Sequence, residues 1–177
     1  MDNQIILVCD EKGKFNGEYI PKEVGHTGEG KRHLAIAVLL ENSKGEVLLQ
    51  RRKHKIFNDI WDVTGATHPL HLKNGIDETY EEATERCLKR EYGIGVREVR
   101  EVRVVGEFNY FSQYGELCEN EHCAMLIGKY DGQLNLNPEV GYNYKWMDKK
   151  EFLKDIKQNP THYSPWAVEG VKLLICF

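Results

Sequence analysis

The stretch LKNGIDETYEEATERCLKREYGI, residues 72–94, decides how this chain folds. It begins in a polar loop, HLKNG, and continues as one strong helical segment over about residues 77–92. Acids crowd its start (Asp77, Glu78, Glu81, Glu82), bases its end (Lys89, Arg90), and Gly93 supplies the stop. That charge order is the one a helix macrodipole favours. On the helical wheel Glu91 falls with Thr84, Cys87 and Leu88, away from the solvent stripe of Glu78, Glu82, Arg86 and Arg90. A carboxylate on the buried side of a helix end is expected to be either paired with a base or a ligand.

Strands surround this helix. HLAIAVLL (33–40) and EVLLQRR (46–52) are apolar runs joined by the turn ENSKG. Residues 5–8 form a shorter apolar run, after which DEKGK and FNGEYIP read as turns of an N-terminal hairpin. Further strands are expected at about 102–111, 118–130 and 142–146. Asp148 with Glu151 makes a capping-box start for a helix that Asn159-Pro160 ends. Ser164-Pro165 is an N-cap followed by proline at the first helical position, opening a last helix. Strands mixed with three helices and hairpin-length turns predict an α/β sandwich with a mixed sheet. The expected organisation is one domain over 1–177: an N-terminal hairpin, a core at 33–147 and C-terminal helices at 148–177.

Composition narrows the function classes. The 177 residues are 41% apolar and 29% charged, enough to bury a real core. A net charge of -4 argues against a nucleic-acid surface while leaving room for a small basic pocket. The longest unbroken apolar run, 34–40, is too short to span a bilayer, and no basic start followed by an apolar segment marks a secretory signal. Five scattered cysteines (Cys9, Cys87, Cys118, Cys123, Cys176) read as free thiols of a cytoplasmic protein.

Two features carry chemistry besides Glu91. In ENE, Glu119 and Glu121 share one face of a strand, which is costly unless a cation or a donor satisfies them; a solvated edge strand is the plain alternative. His26, His33 and His68 form a histidine set, with His33 opening an apolar strand. His68 sits in WDVTGATHPL (61–70), a corner of small residues locked by Pro69. Imidazoles with carboxylates suit zinc, manganese or another first-row metal, and oxygen-rich sites suit magnesium.

The helical stretch also resembles a degraded Nudix box, G-x5-E-x7-R-E-U-x-E-E-x-G-U. Leu72 stands at its glycine, Glu78 at its first glutamate, Arg86 at its arginine, Glu91 at its last glutamate, and Gly93-Ile94 closes it. Cys87 and Arg90 replace two metal-binding glutamates. Such degradation is seen in the type I isopentenyl-diphosphate isomerase branch of the superfamily. The chain resembles that branch in order over roughly 5–175: HTGEGKRHLA, LLQRR, THPL, ENEHC and YSPWAVEG.

The resemblance implies a Nudix-type α/β/α sandwich, with the box on the helix at 77–92. It makes His26, His33, His68, Glu119 and Glu121 the ligands of one divalent metal (Mn, Zn or Mg). It gives Glu91 the magnesium that travels with a small-molecule diphosphate substrate. It places Lys22, Arg52 and Lys55 toward the diphosphate, Trp166 over the isoprenoid tail, and Tyr110 as partner of the catalytic Glu121. Three departures stand out. The family's cysteine, two residues before the His of His-Pro, is Ala66 here; Cys87 stands where members often carry an arginine, and neither Arg86 nor Arg90 is expected to project the same way. The proline-glycine usually preceding the tryptophan is Asn58-Asp59. Three functions follow: an isomerase using Glu121 and Tyr110 with a water or Thr67 in place of the thiol, a metal-dependent Nudix-type diphosphate hydrolase, or a silent binder of isoprenoid diphosphates.

Overall fold

The computed structural model describes residues 4–95 and 97–174. Its organising strand is β3 (His33–Glu41), the run HLAIAVLL seen in the sequence. This strand shows no polar alternation because both of its faces are covered. Ala35, Ala37 and Leu39 pack toward the C-terminal helices, with Phe152, Ile156, Trp166 and Ala167. Ile36, Val38 and Leu40 pack toward the other side, with Ala83, Leu88 and Tyr92.

Around β3 the sheet is mixed. Parallel to it runs β8 (Leu117–Lys129), with His33 opposite Glu121 and Glu41 opposite Lys129. On the other flank lie, in turn, β1 (Ile5–Cys9), β6 (Gly65–Thr67) and β4 (Glu46–Arg52). The hairpin partner of β8 is β7 (Arg100–Tyr114); β4 also pairs with β5 (Trp61–Asp62) and β9 (Gly141–Asp148). FNGEYIP, expected as a turn, is instead strand β2 (Phe15–Pro21) paired with β1. A four-residue helix, α1 (Lys22–Gly25), follows it. The layered α/β/α architecture expected from the sequence is the one observed, with α2 (Tyr80–Tyr92) on one face and α3 (Lys149–Gln158) with α4 (Pro165–Gly170) on the other.

Helix α2 begins three residues later than the acids suggested. Thr79 is its N-cap, closing a reciprocal capping box with Glu82. Asp77 and Glu78 stay outside because tertiary partners take them: His71 Nδ1 lies 2.6 Å from Asp77, and the Arg86 guanidinium donates to both Glu78 oxygens at 2.7 and 2.8 Å. Gly93 ends the helix at φ 70°, as its position promised. Thr79→Ala should therefore cost about 1 kcal/mol. A calorimetric Tm lowered by roughly 2–4 °C is the expected reading for a chain of this size.

Asp148 and Ser164 both cap their helices, Asp148 accepting from the backbone N–H groups of Lys150 and Glu151, but among the described residues Glu151 does not return the bond that would complete the expected capping box. After α4 the chain continues as a 3-10 turn, Val171–Leu174. Cys9, Cys87, Cys118 and Cys123 are buried free thiols, and Cys176 lies outside the described residues. Among the described residues no helix is long and apolar enough to cross a membrane.

Candidate active site

Odd-numbered residues of β3 and β8 face the C-terminal helices, and that parity builds the site. His33, Glu119 and Glu121 project to this face at the strands' starting ends, and all three are buried. The strand carrying the glutamates is interior, flanked by β3 and β7, so the alternative of a solvated edge does not hold. His68 leaves the end of β6 and meets the same group, while His26 follows α1. Gly25 permits this close approach, since a Cβ there would sit 3.1 Å from His33 Nδ1 and 2.7 Å from Ile6.

His26, His33, His68 and Glu121 each bring one ligand atom within 4.8 Å of the others. On Glu121, Oε1 lies 2.8 Å from His68 Nε2, 3.6 Å from His33 Nε2 and 3.9 Å from His26 Nε2. The fifth residue, Glu119, is 3.1 Å from His26 Nε2. The other nitrogens of two rings are committed: Nδ1 of His26 is 2.8 Å from the Lys22 carbonyl, and Nδ1 of His33 is 2.7 Å from the Lys31 carbonyl. An imidazole that donates through Nδ1 presents the Nε2 lone pair, the tautomer a metal ligand needs. His33 Nε2, His68 Nδ1 and Glu119 Oε2 are buried without a hydrogen-bond partner, a cost of about 1–3 kcal/mol each. Three imidazoles and two carboxylates with orphaned lone pairs fit a divalent first-row cation.

The electrostatics of the cluster are shared unevenly. Burial opposes the Glu121 carboxylate, but His33, His26 and Tyr110 outweigh it and hold its pKa below the usual range. Burial, then the His33 and His26 charges, pushes His68 well below an ordinary histidine. On its second oxygen Glu121 accepts the Tyr110 hydroxyl. Tyr110 stands opposite Glu121 in the β7–β8 pair, so both occupy one face. Burial, reinforced by the Glu121 charge, raises the Tyr110 pKa well above normal, keeping the phenol a donor.

Beyond Tyr110 lies a hub that the sequence reading missed. Asp62, fully buried, accepts from Ser164 Oγ (2.6 Å), Trp166 Nε1 (2.7 Å), the Val63 N–H (2.8 Å) and Arg52 Nη1 (3.0 Å). Burial raises its pKa, while Arg52 and Ser164 pull the other way. Through this one carboxylate, Trp166 and Arg52 are fixed together, with the guanidinium 4.6 Å above the indole. An acid in a strand position beside Trp61 was the available signal, since Asp is depleted in strands.

The remaining candidates are scattered more widely. Lys22 opens α1 beside His26, and Lys55 is exposed on the loop 53–60. Glu91 lies on the opposite side of the sheet, beneath Gly65, where a Cβ would approach its Oε2 to 3.2 Å. It is paired: Gln50 Nε2 donates at 2.8 Å, Cys87 Sγ at 3.4 Å and Arg90 Nη2 at 2.5 Å. Arg90 thus does reach this glutamate, contrary to its helical-wheel direction, because a guanidinium stem is long enough to fold back over one residue. Arg86 is likewise not on a solvent stripe: besides gripping Glu78 it donates to the His68 carbonyl at 2.7 Å. Ala66 pairs with Ala37 and packs on the face of Tyr110 and Trp166. Thr67 pairs with Ile36 and therefore points to the α2 side. That parity removes Thr67 as a replacement for the thiol.

A family model described as the NUDIX domain matches residues 31–167. The chain is 29% identical over 169 residues to isopentenyl-diphosphate Delta-isomerase 2 of Aromatoleum aromaticum, covering 94% of this chain and 83% of that protein. It is 29% identical over 171 residues to an isopentenyl-diphosphate Delta-isomerase of Salmonella paratyphi B, covering 95% and 90%. Among solved structures, DR0079 of Deinococcus radiodurans superposes with a TM-score of 0.71 at 18% identity, over 98% of this chain and 99% of that one. With its box helix in place across the sheet from the histidine cluster, the chain belongs to the NUDIX domain family and is isopentenyl-diphosphate-isomerase-like along nearly its whole length.

Proposed function

We propose that the protein interconverts isopentenyl diphosphate and dimethylallyl diphosphate. The observation that carries this reading is the position of Glu121, with Tyr110 on one oxygen and three imidazoles around the other, on the same face as Trp166. The relatives named for that reaction add weight.

The reaction adds a proton at the terminal methylene carbon, leaves a tertiary carbocation, and removes a proton from the carbon two bonds away. Glu121 and Tyr110 form the proton-carrying pair on one side of the substrate. Opposite them, Ala66 offers a methyl where a thiol would exchange the second proton, and a water lodged over Ala66 takes that role. Trp166 stabilises the carbocation through its ring, about 2 kcal/mol when desolvated. Arg52 already covers one indole face. Arg52, Lys22 and Lys55 neutralise the diphosphate. His26, His33, His68, Glu119 and Glu121 would hold a divalent cation (Mn, Zn or Mg), which when bound keeps the Glu121 carboxylate ionised and rigidly aimed. Glu91, which the resemblance makes the holder of the magnesium carried by the diphosphate, lies across the sheet and is paired there with Gln50, Cys87 and Arg90.

A second reading, hydrolysis of a diphosphate, is favoured by the retained pairing of Arg86 with Glu78 and the burial of Glu91. Against it, the box has lost its carboxylates at Cys87 and Arg90. Purified protein with Mg²⁺ and isopentenyl diphosphate should yield dimethylallyl diphosphate without phosphate release. Monophosphate or inorganic phosphate would establish the hydrolase instead, and binding without turnover a silent binder. His68→Ala should lower the metal content measured by elemental analysis to well below that of the parent. Undiminished content would rule out the five-residue metal site.

A further inference from the structure

Beside Tyr110 an open cavity of about 670 Å³ enters the protein between β7, the loop 53–60 and the C-terminal segment. Five aromatic side chains line it, Phe57, Tyr110, Phe111, Tyr114 and Tyr163, and its polar lining is limited to Asn58, Asn109, Thr161 and Glu169 among the described residues. The wall is continuous with the candidate active site. Phe57 stands edge-on to Trp166 at 5.7 Å and against Tyr114 at 5.1 Å, and Tyr110 lies 6.2 Å from Trp166. Phe57 holds this place at φ 49°, a left-handed conformation that a bulky side chain adopts at a cost of about 1–2 kcal/mol. Phe111 and Tyr114, at 55% and 44% exposure, leave large apolar surface open at the mouth.

Size and charge limit the occupant. At roughly 30 Å³ per carbon-sized group, a five-carbon tail fills only about 150 Å³. Among the described lining residues Glu169 is the one charged side chain, and its carboxylate disfavours a diphosphate there. The cations lie elsewhere, on the neighbouring residues 51–55, where Arg51 pairs with Asp59, Arg52 with Asp62, and Lys55 is exposed. An amphiphile with an anionic head outside and an extended hydrocarbon tail within satisfies both halves.

We propose that this cavity binds the tail of a prenyl diphosphate longer than five carbons, so that ten- and fifteen-carbon prenyl diphosphates bind more tightly than the five-carbon substrate and compete with it. The inference rests on the reading of the site as one for prenyl diphosphates. It is tested by isothermal calorimetry with the intact protein and Mg²⁺, using dimethylallyl, geranyl and farnesyl S-thiolodiphosphates, which resist cleavage, with ADP as comparison. Affinity should rise at least tenfold from five to ten carbons and again to fifteen, and Phe111→Glu should abolish most of that gain. Equal or weaker binding of the longer chains, with the five-carbon ligand bound, overturns the chain-length inference alone. Failure of all three to bind, or tighter binding of ADP, overturns the prenyl-diphosphate reading with it. Since Phe111 is more than half exposed, its replacement leaves the fold intact, and an unchanged chain-length gain in that variant also counts against the cavity.

Discussion

Glu121→Gln is expected to reduce isomerase turnover by about a hundred- to ten-thousandfold, the range associated with one positioned acid or base. The amide keeps the shape of the carboxylate and still accepts from Tyr110, but it cannot take up and return a proton. It also removes the charge around which His26, His33 and His68 gather, so metal content should fall with activity. Steady-state kinetics beside elemental analysis and a calorimetric Tm separate these effects. A folded variant that keeps turnover within tenfold of the parent would falsify the assignment of Glu121.

The second large effect runs the other way. Ala66→Cys should raise isomerase activity by one to a few orders of magnitude, because it supplies a proton-exchanging group on the sheet face that carries Tyr110 and Glu121. The floor can take the added atom: Ala66 is partly buried, and its neighbours on that face, Ala35 and Ala37, are as small as alanine. Overpacking should therefore cost little, and the Tm should move by only a few degrees. Activity unchanged in a well-folded variant means that the second proton has another carrier. Ala66→Ser is the informative companion, since a hydroxyl with a pKa far above that of a thiol should recover much less.

Much of this was legible in the sequence because it depends on short-range rules. The double burial of β3, the proline-led start of α4 and the shared face of Glu119 and Glu121 follow from period, cap chemistry and strand parity. The gathering of His26, His33 and His68 was legible only through family resemblance, because their approach is set by sheet register. What escaped was decided by tertiary partners. Asp77 and Glu78 look like a first helical turn until His71 and Arg86 claim them. Asp62 joins Ser164 and Trp166 across more than a hundred residues, and no local pattern announces such a bond. Thr67 seemed available as a hydroxyl because parity on β6 is fixed only by its pairing with Ile36.

The three residues of β6 have a consequence for how such a chain can change its chemistry. Gly65 lies over Glu91 on the α2 side, Ala66 lies on the side of Tyr110, and His68 turns in to the histidine cluster. One short thread therefore separates the α2 side, with Glu91, from the side of the histidine cluster, and successive residues face opposite ways. Inserting or deleting a single residue there would exchange the residues shown to the two sides, since a one-residue slip turns every side chain over. Substitution at Ala66 changes only the side that carries Tyr110. Drift between hydrolysis and isomerisation on this scaffold should accordingly proceed by replacement at fixed spacing from Gly65 to His68, with changes of length confined to the loop that follows Pro69.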